Sequence, residues 1–176
     1  MSLIYNFIVF QVGWFACVYG AANDQAFSGA AIALTIILFH LCMHPNYLSE
    51  LVLIKAAVIV GLIWETWVLN FDTLYYISHN KEAFWPPYWL IVMWGLFATT
   101  INVSMYWLKD RPALSALMGA IFGPLSFFAG EKIGAVVFLD PQKTILILAF
   151  GWSVLLPLLL WLAQRVNRLT FLGAER

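Results

Sequence analysis

Six stretches of about 20 residues, nearly free of charge, alternate along this chain with short clusters of polar, proline and glycine residues. At 1.5 Å rise per residue, a helix of that length matches the ~30 Å hydrocarbon core of a bilayer. The pattern predicts helices near residues 4–22, 26–44, 49–70, 87–108, 112–130 and 143–164. The breaks between them fit the assignment. Asn23-Asp24-Gln25 is a tight link, and His44-Pro45-Asn46 precedes Ser49-Glu50, where Ser49 suits an N-cap. Pro87 falls in a first turn, where its missing N–H would be unpaired anyway. Lys109-Asp110-Arg111-Pro112 makes a sharp charged turn, and the last helix is entered through Asp140-Pro141. The expected fold is all-α: a polytopic, six-transmembrane-helix bundle in a single domain over residues 1–176.

Composition supports lipid as the solvent. Hydrophobic residues make up 63% and charged residues 10%, with a mean hydropathy of +0.86, whereas a soluble domain carries about 25% charge. A net charge of zero offers no basic field for nucleic acid, and no soluble catalytic domain fits beside six spans. Met1 to Asn6 lacks the basic start of a secretory signal, so the first helix is expected to persist. Cys17 and Cys42 fall at different depths and are not expected to pair. Lys109, Arg111, Arg165, Arg168 and Arg176 fall on the N-terminal side against Lys81, Lys132 and Lys143 opposite. The positive-inside rule then puts both termini in the cytoplasm.

Ionisable groups at membrane depth mark candidate sites, because an unpaired charge at the helix centre costs at least about 2.5–3.5 kcal/mol on insertion scales. Glu65 lies near the outer end of the third helix, and Glu131-Lys132 closes the fifth on the same side. A Glu65–Lys132 pair is expected, with Asp24 or Asp72 nearby. It reads either as a structural ion pair or as a site that binds or transfers protons. An inner layer collects Asn6, Gln11, His40, Lys55 and Asn102, with Lys55 either snorkelling to lipid phosphate or contacting an anionic ligand. Gly119 and Gly123 form a small-xxx-small pair before Pro124, predicting close helix packing and a kink. His40 and His44 are spaced for one helix face, but no carboxylate motif accompanies them, so neither a metal nor another cofactor is expected. The aromatic stretch from Phe71 to Trp85 reads as an interfacial belt, with a site-forming re-entrant loop as the alternative.

The fourth and fifth segments carry Trp94-Gly95-Leu96-Phe97-Ala98-Thr99-Thr100-Ile101-Asn102, Ser104, Gly119-Ala120, Gly123-Pro124-Leu125-Ser126 and Ala129-Gly130-Glu131-Lys132-Ile133-Gly134-Ala135. Together with Asn6, Phe10-Gln11 and Gly13-Trp14-Phe15-Ala16-Cys17-Val18, this resembles a family of small bacterial inner-membrane proteins catalogued as a domain of unknown function. The resemblance implies a bacterial cytoplasmic membrane and a helical bundle. Genes of such a family often neighbour lipid-modifying, cyclopropane-synthase-like enzymes in oxidative-stress sets, so the resemblance also implies a lipid-related role. Many relatives place His where this chain has Val103, so no histidine role carries over there.

Three functions stay open: lipid handling, as enzyme or accessory, with membrane lipids as partner; a small-solute transporter or channel component; and a structural subunit docking another membrane protein.

Overall fold

The computed structural model describes residues 2–78 and 84–174, the last six of these as backbone only. Lys81 and Arg176, which entered the charge count above, lie outside the described residues. The chain is an all-α polytopic bundle, with six α-helices among the described residues: α1 (Leu3–Ala22), α2 (Ala26–Met43), α3 (Tyr47–Leu69), α4 (Tyr88–Ile101), α5 (Pro112–Ile133) and α6 (Pro141–Ala174). All but α4 are long and apolar enough to cross a membrane. The apolar surface explains why: Leu3, Ile4, Phe7, Ile8 and Val12 on α1 are all exposed, an arrangement stable only against a nonpolar solvent.

The helices alternate direction, and α4 packs at the centre against α1, α2, α3 and α6. The amino-terminal face gathers the starts of α1, α3 and α5 with the ends of α2, α4 and α6. The other end is the far face.

At 14 residues, α4 is about 21 Å long, short of the hydrocarbon core. Sequence pattern predicts one helix through Leu108. Instead α4 stops at Ile101, and the chain reaches Leu108 through turns and a 3-10 turn, Tyr106–Leu108. A helix ending inside the bundle frees backbone groups that need partners, and Asn6 of α1 supplies two of them. Its Nδ2 donates to the Thr99 carbonyl (3.1 Å), while its Oδ1 accepts from the Ser104 N–H (3.3 Å) and hydroxyl (2.8 Å).

On the far face, β1 (Leu74–Tyr76) pairs antiparallel with β2 (Val136–Phe138), with Tyr75 opposite Val137. This ribbon breaks the expected belt. Strand alternation turns Leu74 and Tyr76 inward, leaving Tyr76 2% exposed, whereas Phe84, Trp85 and Tyr88 stay at the surface.

Glycines admit indoles into the bundle. A Cβ on Gly61 would overlap the Trp94 ring, one on Gly123 the Trp152 ring, and one on Gly151 the Trp64 ring. Trp94 and Trp152 stack at 5.1 Å and 9°, linking α4 to α6. Gly119 lies against the Trp152 carbonyl, so the small-residue stripe of α5 faces α6, with Pro124 inside the same helix.

Candidate functional site

Two polar centres hang on α3, around Glu50 and Glu65, 15 residues apart, or about 22 Å of helix. Charge patterning alone favours the one at the far face, yet the richer chemistry lies at the amino-terminal face.

Glu50 sits in the first turn of α3 and is fully buried. Its Oε2 lies 2.9 Å from His40 Nε2, and its Oε1 accepts from Asn102 Nδ2 at 2.5 Å and faces His44 Nε2 at 3.6 Å. Lys109 Nζ donates to Asn102 Oδ1 at 2.5 Å, and Asn167 Nδ2 donates to the same oxygen at 3.0 Å. Lys109 is a donor only, which fixes the Asn102 amide: its oxygen faces the ammonium and its nitrogen the carboxylate. One neutral amide thus bridges a buried anion and a half-buried cation. That arrangement limits the penalty of burying either charge.

The histidine rings stack at 5.4 Å and 27°. His44 Nδ1 accepts the Asn46 N–H at 3.3 Å, so the neutral ring holds its proton on Nε2, toward Glu50. Burial lowers the His44 pKa below its usual value, and the Glu50 charge opposes that shift. Burial likewise lowers Lys109, against the pull of Glu50 and Asp110. His40 is 2% exposed, and its Nδ1 has no partner.

A cavity of about 470 Å³ adjoins this network. Its polar lining comes from His40, His44 and Asn102, and its apolar lining includes Leu3, Met43, Val103, Tyr106 and Trp107. Lys109 lies behind Asn102 and over the Tyr106 ring at 4.6 Å.

The far-face centre is built differently. Glu65 is 1% exposed, accepting from the Tyr76 hydroxyl at 2.8 Å and from Trp94 Nε1 at 3.0 Å. Burial first, and then the adjoining Glu65 carboxyl, push the Tyr76 phenol well above its ordinary pKa. The expected Glu65–Lys132 pair does not form. Lys132 is exposed and sits over the Phe128 ring at 4.9 Å, because the ribbon carries Tyr76 into the place beside Glu65. Glu131 Oε1 takes the Phe138 N–H at 3.3 Å, while Asp24 and Asp72 are exposed turn residues with φ of 57° and 51°. None of these four reaches Glu65.

The predicted inner layer also divides. His40 and Asn102 join around Glu50, Asn6 caps α4 separately, and Gln11 is half-buried on α1. Lys55 is exposed and outside the network, since five residues turn it about 140° from Glu50 around α3. Sequence reasoning missed Glu50 and Lys109 as site residues. A signal for the first was present: His40 and Glu50 stand equally far from Pro45, so an antiparallel hairpin about that break brings them to one depth.

A family model described as "Protein of unknown function (DUF2878)" matches residues 3–158. The chain belongs to that family. No curated protein and no solved structure matches it. The DUF2878 region contains Asn6, His40, His44, Glu50, Asn102 and Lys109, while Asn167 falls beyond it.

Proposed function

We propose that this DUF2878 protein handles membrane lipid at its amino-terminal face, modifying it or assisting an enzyme that does, with that face on the cytoplasmic side of a bacterial inner membrane. The observation that carries the reading is the cavity beside the Glu50 network. An apolar wall with a few converging polar groups suits an amphipathic ligand. Its position at the helix ends suits a headgroup, with acyl chains lying along the apolar exterior. The lysine and arginine count supports the orientation.

The test compares lipid composition in a deletion strain restored with the wild-type chain, Glu50→Gln or Val103→Trp, with and without oxidative stress. Restoration by the wild type alone is expected. An unchanged lipid profile on deletion would sink the proposal.

A transporter or channel has less support. Between the two polar centres the core is Leu53, Ile54, Ala57, Leu96, Ala98 and Leu148, all buried and apolar, which argues against a static pore. A docking role for the α5 glycines is weakened because α6 already occupies them.

A further inference from the structure

The exterior of α3 carries one residue that lipid does not suit. Leu48, Val52, Lys55, Ile59, Ile63 and Trp67 are all exposed, and their spacing of three or four residues lines them along one side of the helix. Five of them are apolar or aromatic, as a hydrocarbon solvent demands, and the sixth is a lysine. The other exposed cations among the described residues sit at the ends of the bundle. Arg111 lies in the charged turn, Arg165 and Arg168 lie past Gln164, which bonds that turn, and Lys132 and Lys143 lie at helix termini.

Aromatic rings give the depth of Lys55. Tyr47 and Trp67, each about half exposed, stand 20 residues apart, or about 30 Å of helix. That is the thickness of the hydrocarbon core, so the two rings mark its boundaries on α3. Lys55 follows Tyr47 by eight residues, which puts it about 12 Å inside one boundary and about 3 Å from the midplane. Helical side chains lean toward the amino terminus, here toward the amino-terminal face, and a four-carbon stem recovers only about half of that depth. Snorkelling therefore leaves the ammonium about 6 Å short of the ring level, with lipid phosphates farther out still. Among the described residues no carboxylate pairs with it. An unpaired charge at this depth is costly, and cations inside a bilayer are as a rule paired.

We infer that this side of α3 is an interface for another membrane protein, whose transmembrane helix brings an Asp or Glu to the depth of Lys55. A carboxylate on a neighbouring helix meets the ammonium where it lies, whereas a lipid phosphate reaches it only where the bilayer thins. A second copy of this chain lacks the matching group among the described residues. Its exposed carboxylates Asp24, Asp72, Asp110 and Asp140 lie in the connections between helices, and Glu50 and Glu65 are buried. Such an interface is independent of the cavity's ligand, and it suits a chain that assists an enzyme.

The test reconstitutes the full chain in phosphatidylcholine vesicles and reads association by energy transfer to a synthetic leucine helix. One probe carries a single Glu at the depth of Lys55, a second carries Leu at that position, and a third carries its Glu at the helix end. The wild type should hold the first probe about tenfold more tightly than the other two. Lys55→Leu, a change on a lipid-facing surface with no contact in the core, should bring all three close together. Lys55→Glu should instead prefer a probe bearing Lys at the same depth. Equal binding of the Glu and Leu probes by the wild type would overturn the inference, and a preference for the terminal Glu would overturn the depth on which it rests. Retention of phosphatidylglycerol that depends on Lys55 and abolishes the probe preference, read by native mass spectrometry, would overturn the protein partner in favour of a lipid phosphate. Energy transfer between labelled copies that is lost in Lys55→Leu would overturn it in favour of a second copy. Each of these outcomes leaves the cavity proposal standing, because none depends on Val103 or on the lipid profile of a deletion strain.

Discussion

Asn6 offers the most quantitative test of how the bundle tolerates a helix that stops inside it. Asn6→Ala removes three bonds at once: to the Thr99 carbonyl, the Ser104 N–H and the Ser104 hydroxyl. The hydroxyl has a weaker fallback at the Thr100 carbonyl, 3.5 Å away. The other two groups are left buried with no substitute. Polar contacts between membrane helices average about 0.6 kcal/mol each, so three bonds set a floor near 1.8 kcal/mol. Two orphaned backbone groups at about 1–3 kcal/mol each set a ceiling near 6 kcal/mol. We predict a loss of about 2–4 kcal/mol, measured as reversible unfolding by dodecyl sulfate in mixed micelles. Ser104→Ala alone should lose about 1 kcal/mol, since the backbone bonds to Asn6 survive. The double variant should then show a coupling of about 1 kcal/mol, because both changes remove the same side-chain contact. A loss below about 0.5 kcal/mol for Asn6→Ala would refute the reasoning, and would mean that water or a rearranged backbone satisfies the end of α4 without it.

Gly61→Ala and Gly151→Ala should each destabilise by about 1–3 kcal/mol, because the added methyl collides with a stacked indole rather than a flexible chain end; thermal unfolding in detergent checks this. The lowered pKa of His44 gives a pH dependence of definite sign. Below the ordinary histidine value near 6.5 the unfolded chain binds the proton more readily than the folded one, so stability falls as pH drops through that region. His44→Gln should flatten the slope between about pH 7 and 5, and an unchanged slope would contradict the assignment. Tyr76→Phe should leave the near-ultraviolet phenolate titration of the folded protein unaltered, because Tyr76 stays protonated where exposed tyrosines ionise; a smaller absorbance change in the variant would show that Tyr76 titrates normally.

Helix placement was legible because lipid imposes one requirement on every span, an apolar run of fixed length, and five described helices meet it. The end of α4 was not legible, because Thr99 to Leu108 remains apolar enough to continue. Its termination depends on Asn6, 93 positions away, and no periodicity records that. The β1–β2 ribbon escaped for a related reason: three-residue strands joining positions 74–76 to 136–138 leave no pattern distinct from an aromatic interfacial loop. Reading Glu65 with Lys132 took opposite charges at similar depth as a pair. The fold instead gives Glu65 two neutral donors and leaves the lysine at the surface.

That contrast separates the two carboxyls of α3 in what each can do. Glu65 is enclosed by Tyr76 and Trp94, with the Trp94–Trp152 stack behind it. Any ligand approaching it must first displace a buried side chain. Glu50 is equally buried, but its partner His40 lines an open cavity, and Asn102 connects it to a cation at the membrane edge. A change in occupancy of the cavity therefore reaches Glu50 through one ring, without disturbing the core. It can also be felt at the break in α4, because Asn102 is the helix's C-cap as well as the carboxylate's donor. The early end of α4 and the polar network thus share a residue. Glu50→Gln should accordingly loosen the segment from Asn102 to Lys109, visible as faster amide exchange there, while Glu65→Gln should leave its exchange unchanged. Equal protection in wild type and Glu50→Gln would show that the break is held by Asn6 alone.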